Sequence, residues 1–192
     1  MQSWKKPCID LMMVLIGLLM LQGAAGAAES EYNLGVGAYQ TKDYASARRH
    51  WQNAVKEGEP SAMNNLGFLL FNGLGGPRDE KRGASLWMTA AKAGQDESQW
   101  HLANAFEHGK GVGRDKVEAY AWYRCAVAGM QVLRDKNDGE ERAVMADAKS
   151  AVVRVLSQLP EDQVAQAEAR ARAYIRQFAA KAGAKTPPAA RP

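Results

Sequence analysis

The chain has 192 residues, 46% of them hydrophobic, and carries 25 Lys+Arg against 21 Asp+Glu for a net charge of +4. Between residues 28 and 130 the charges balance, twelve against twelve, and beyond the first 27 residues all of the excess lies in 131–192. A nucleic-acid binder would show a basic face inside its folded part, and none is evident here.

The first residues, MQSWKKP, bring Lys5 and Lys6 ahead of an apolar run, LMMVLIGLLML at 11–21, and then small residues, GAAGAA at 23–28. This is the order of a secretory signal, with Ala25-Gly26-Ala27 as its exit, so residues 1–27 are expected to be removed and the protein to be periplasmic or secreted. The apolar run is eleven residues, short of the ~20 that a spanning helix needs. Counting the small residues lengthens it to eighteen, which leaves open a membrane-anchored regulator that keeps the segment. Cys8 precedes the apolar run, the wrong side for a lipid-attachment cysteine. After cleavage Cys125 is the single thiol, so no internal disulfide, CxxC or zinc pair is available and the fold must rest on its core.

Next comes an internal repeat. Trp51, Trp87 and Trp122 stand 36 and 35 residues apart, each followed seven residues later by a glycine: Gly58, Gly94 and Gly129. Upstream, Leu34, Leu66 and Leu102 align, followed by Gly35, Gly67 and Ala103. Each copy reads as two helices. In the second copy an apolar stretch at 61–71 is broken by GLGGP at 73–77, and a stretch at 79–93 follows, with Asp79 as capping side chain and Gly94 as its end. The third copy runs 98–108, breaks at 109–113 and resumes at 115–128, while the first needs only Thr41, Lys42 and Asp43 between its helices. Ala84, Trp87 and Ala91 share one helical face, where an indole opposite alanines lets helices approach closely.

The stretch HGKGVGRDK at 108–116 invites a phosphate-binding reading. A phosphate loop requires G-x-x-x-x-G-K-[ST], and the run has neither that spacing nor the hydroxyl. By repeat alignment it is a turn between two helices, where glycines supply positive φ.

These residues resemble the Sel-1-like repeat proteins, relatives of tetratricopeptide repeats with a longer turn inside each repeat. The pattern is carried by Leu66-Gly67, Leu70, Gly73, Gly75, Asp79, Ala84, Trp87, Ala90-Ala91 and Gly94. It recurs at Leu102, Phe106, Gly109, Gly111, Asp115, Ala119, Trp122, Ala126 and Gly129, with Lys42 and Ala103 standing where glycines are usual. The resemblance implies an all-α, right-handed α-solenoid of helix-turn-helix repeats at about 29–60, 61–97 and 98–130.

Two closing helices are expected at 131–180, after a polar stretch ending in Asn137-Asp138-Gly139. Val144, Ala148, Ala151, Val152, Val155 and Leu159 form one apolar stripe, and Val164, Ala167, Ala171, Tyr174, Ile175 and Phe178 a second. Pro160 suits a first helical position. Residues 181–192 read as a loose basic tail.

Function is expected from a groove. In tetratricopeptide-like stacks the first helix of each repeat lines the concave face, which places Tyr32, Asn33, Val36 and Gln40 there, with Asn64, Asn65, Phe68 and Asn72, and Trp100, His101, Asn104 and His108. Asn and His can hold peptide amides, and aromatics anchor interfaces, although Asn33 and Asn65 have the alternative of bonding neighbouring backbone across the stack. Trp51, Trp87 and Trp122 are assigned to the core. The expectation is a non-enzymatic scaffold for a protein or peptide partner, with no cofactor, no metal and no nucleic acid.

A hydrolase is the rival, since some cysteine-rich members of the resembled family are linked to β-lactam hydrolysis. Yet the one S-x-x-K pattern, Ser3 to Lys6, lies in the removable segment, and Cys125 aligns with alanines at a packing position. His50, His101 and His108 lack the spacing of a metal motif.

Overall fold

A computed structural model of the chain describes residues 29–132 and 139–184; the signal-like segment 1–27, most of the polar stretch before Gly139 and the last eight residues of the tail lie outside them. The described residues form eight helices and no strand: α1 Glu31–Gln40, α2 Tyr44–Lys56, α3 Pro60–Asn72, α4 Glu80–Lys92, α5 Asp96–His108, α6 Lys116–Val132, α7 Gly139–Leu156 and α8 Glu161–Ala184. Helices pair as α1 with α2, α3 with α4 and α5 with α6, each pair packs on the next, and α7 and α8 both pack on α6. Two ends differ from expectation. Pro160 lies one residue ahead of α8, and α8 continues to Ala184, into the stretch read as loose tail, whose Ala and Lys are good helix formers.

Helix starts follow from short polar side chains. Asp43 accepts the Ser46 N–H (3.1 Å), Asp79 the Arg82 N–H (3.0 Å) and Asp115 the Glu118 N–H (3.0 Å), so the same aspartate opens the second helix of every repeat. Gly73 and Gly109 end α3 and α5 in the left-handed region, at φ 72° and 70°.

The glycine-rich turns are stacking surfaces. A Cβ at Gly75 would collide with the backbone of Tyr44, and one at Gly111 with that of Glu80, so each turn sits directly on the start of the previous repeat's second helix. Arg48 braces the first of these contacts by donating to the Pro77 carbonyl (2.8 Å). Thus 108–116 is a turn that joins one repeat to the next.

The three repeat tryptophans are each 2% exposed. Trp51 donates its indole N–H to the Tyr32 carbonyl (3.2 Å) and Trp87 to that of Asn64 (3.1 Å), one equivalent bond in two repeats. A Cβ at Gly35 or Gly67 would overlap those indoles. The third repeat has such a Cβ, in Ala103, and there Trp122 Nε1 finds no partner. Its ring packs instead on Tyr174 (4.8 Å between centroids) and Phe178 (5.7 Å) of α8.

The closing helices are tied on by charge as well as by apolar stripes. Ala148, Ala151, Val155, Ala167 and Ala171 are buried with Trp122. Arg154 of α7 holds the buried Glu107 of α5 through two bonds (3.0 and 2.9 Å), and Tyr123 donates to the same carboxylate (2.9 Å). Arg170 of α8 donates to Glu118 of α6 (2.7 Å). Among the described residues, no helix is long and apolar enough to cross a membrane.

Candidate functional site

The first helices of the three repeats line one open groove of about 1110 Å³. α1 contributes Tyr32, Val36, Tyr39 and Gln40; α3 contributes Ser61, Asn64, Asn65 and Phe68. From α5 and the turn before it come residues 94–97, Trp100 and His101, and Met130 of α6 and Val144 of α7 line it as well. Of the residues singled out in the sequence, Asn33, Asn72, Asn104 and His108 are not among those lining it. Asn33 is exposed. Asn72 turns back to donate to the Phe68 carbonyl (2.9 Å), and the His108 ring bonds the Asn104 carbonyl (3.0 Å) at the exposed end of α5.

Chemistry within the groove is uneven. Asn64, 2% exposed, has its amide committed: it donates to Glu97 (2.8 Å) and accepts from Ser98 Oγ (2.8 Å), fastening α3 to α5. That position serves the stack and leaves no amide for a ligand. Asn65, one residue on, is half-exposed, its oxygen meeting the Asn64 amide only at 3.4 Å. Adjacent helical positions differ by about 100° in direction, which separates the two roles.

His101 stacks flat on Trp87, with centroids 4.5 Å apart and planes 9° from parallel, and it also touches Phe68 and Trp100. Burial pushes its ring down to about 4, so it is uncharged at neutral pH. Trp100 is oriented by donating its indole N–H to Asp147 of α7 (2.8 Å), a closing helix reaching the groove. Among the described residues, the charged side chains lining the groove are Asp96 and Glu97, at the start of α5.

Tyr39, Ser61, Asp96, Glu97, Met130 and Val144 escaped the sequence reading. Tyr39 was within reach of it, lying one turn from Val36, whereas Val144 enters only through the packing of α7. Elsewhere, burial pushes the Cys125 thiol up to about 12, which leaves it protonated and non-nucleophilic in its packed position. No group of three or more His, Cys, Asp or Glu side chains positioned to hold a metal ion occurs among the described residues.

The family model for the Sel1 repeat matches residues 28–59, 60–95 and 96–129. No curated protein matches the chain. Among solved structures, it is similar to a protective antigen present in uropathogenic Escherichia coli strains and displaying an SLR fold. The identity is 25% and the TM-score 0.66, over 87% of this chain and 35% of that one, so the chain spans about a third of that relative's length. A Sel1 repeat protein from Oxalobacter formigenes aligns at 26% identity over 68% of this chain and 98% of that one, with a TM-score of 0.49. With three consecutive repeats matched across more than half of its length, the chain belongs to the Sel1 repeat family.

Proposed function

We propose that this protein is a non-enzymatic scaffold of the cell envelope that holds a protein or peptide partner in the groove formed by α1, α3 and α5. Sel1 repeat proteins generally mediate protein–protein interaction. The observation that carries the reading is the groove itself: three helices present aromatic rings and the Asn65 and Gln40 amides along one trough, on a framework rigidified by Trp51, Trp87 and the Asn64 bridge. Pre-shaping of this kind reduces the ordering cost of binding. Export rests on the order of charged, apolar and small residues in 1–28.

The test is quantitative co-purification from envelope extracts, using wild type and a Gln40→Arg, Asn65→Arg double variant whose helicity and melting are unchanged. A partner recovered with wild type and lost with the variant supports the groove; equal recovery refutes it. Mass spectrometry of the mature N-terminus tests export, and a chain that still begins at Met1 would contradict cleavage.

A further inference from the structure

We propose that a furrow between α2 and α4, separate from the groove, is a second docking site that takes an apolar side chain of a partner protein flanked by carboxylates. This goes beyond the groove reading and stands without it.

The furrow follows from how the helices stack. α2 and α4 each pack on α3, and a hollow of about 450 Å³ remains between them. Its apolar walls are Val55, Leu66 and Leu86. Leu66 is 2% exposed, while Val55 and Leu86 pack against the first core cluster and stay partly exposed. The next repeat differs at one wall. Ser85, two residues before Trp87, is small and exposed, whereas Tyr120, two residues before Trp122, is a ring 1% exposed. A serine leaves open the space that a buried ring takes up. A hollow near the lower end of usual pocket volumes suits one or two inserted side chains better than a whole segment.

The rim carries positive charge on both sides. Lys56 of α2 and Arg82 of α4 are exposed there, with Gln52 and Ser85 beside them. Lys56 donates to the Asn53 amide oxygen (3.2 Å), a neutral partner. Arg82 has Asp79 at 3.9 Å, a carboxylate that also caps α4. That carboxylate does not cancel the Arg82 charge. Arg48, buried one turn before Gln52, has its pKa lowered by burial and then by Arg82, and Asp79 opposes this more weakly. Carboxylates beside an inserted apolar side chain would meet this field, which speeds encounter and fixes register.

The experiment is fluorescence anisotropy with three labelled peptides of about nine residues, each a central Leu flanked on both sides by Glu, Gln or Lys, long enough to reach both walls. Each is titrated at about 50 mM and about 500 mM salt, because screening separates charge from shape. The Glu peptide is expected to bind about fivefold more tightly than the Gln peptide at low salt, with the difference shrinking at high salt. Lys56→Gln with Arg82→Gln should bring the Glu peptide down to the level of the Gln peptide. Ser85→Tyr places the next repeat's ring in the hollow and should weaken both peptides about tenfold, by denying burial to the leucine. Gln40→Arg with Asn65→Arg, in the groove, should change neither. Every variant is first matched to wild type in helicity and melting.

A Glu peptide indifferent to Ser85→Tyr overturns the furrow as its site. One weakened only by the groove substitutions binds in the groove, which overturns this inference and spares that reading. Equal binding of the Glu and Lys peptides at low salt overturns the choice of partner. No binding of any peptide up to about 1 mM, with the helical signal intact, overturns the docking site itself.

Discussion

At the scale of single residues, the repeat makes demands that individual side chains meet or fail. Lys42 is a non-glycine residue at φ 64°, in the tight turn between α1 and α2 where glycine is the usual family residue. A Cβ in that region costs roughly 1–2 kcal/mol, part of which glycine returns through its looser unfolded chain. Lys42→Gly should therefore raise stability by about 0.5–1 kcal/mol, read as a higher urea midpoint. Gly67 illustrates the converse, because a methyl there overlaps the Trp87 indole. Gly67→Ala should cost about 1–3 kcal/mol and change the Trp fluorescence, whereas Ala103→Gly should be tolerated, its tryptophan being already settled against α8. His101 predicts a pH effect. Its ring titrates near 4 when folded against 6.5 when free, so between those values the unfolded chain binds the extra proton. The contribution is complete above about pH 6.5 and is lost as pH falls toward 4, up to about 3 kcal/mol in all. Urea midpoints measured from pH 7 to pH 4 should fall in wild type and flatten in His101→Phe; parallel curves would assign the effect elsewhere.

At the scale of elements, what the sequence discloses depends on how local the cause is. The second helices were legible because Asp43, Asp79 and Asp115 cap their own first turns and the tryptophans recur at one repeat length. The closing pair was legible as two stripes, since Ala148, Ala151 and Val155 on one helix and Ala167 and Ala171 on the other recur at helical spacing. What holds that pair was not. Glu107 and Arg154 are 47 residues apart, as are Trp100 and Asp147, and no spacing rule joins them. The groove was half legible for a related reason: a repeat alignment says which columns face inward, but not whether Asn64 in one or Asn65 in the next is already engaged. The ion pair carries its own prediction. Burial works to raise the Glu107 pKa, yet the bonds from Arg154 and Tyr123 outweigh it and hold the carboxyl below its ordinary value. Arg154→Ala leaves that charge buried with Tyr123 alone and should cost about 1–3 kcal/mol by thermal melting. Because a depressed carboxyl stabilises above its unfolded value, near 4.5, and loses that contribution as pH falls below it, the penalty should shrink in acid.

At the scale of the whole stack, the apolar core is divided. One cluster gathers Trp51, Ala54, Leu66, Leu69 and Leu70 around the first repeat and α3. A larger one runs from Trp87 through Trp122 to Ala171, uniting the later repeats with the closing helices, and Phe68 touches both. A solenoid is stabilised by nearest-neighbour interfaces, so an end repeat with one neighbour opens more easily than a middle one. α1 and α2 have that position within the described helices, whereas α6 packs on α5, α7 and α8 together. Amide hydrogen exchange should therefore be faster in α1 and α2 than in α6. Truncating a tryptophan should act according to its cluster. Trp51→Ala, removing roughly 3–5 kcal/mol of packing, should release exchange in α1, α2 and α3 and leave α6 to α8 protected. Trp122→Ala should accelerate exchange across α4 to α8, since its ring joins α6 to Tyr174 and Phe178 of α8. Since α1 carries Tyr32, Val36 and Gln40 into the groove, the first variant should also lose peptide binding while most of the molecule stays folded. Uniform exchange in every helix after Trp51→Ala would instead mean that the two clusters unfold as one cooperative unit, and binding would then report global stability alone.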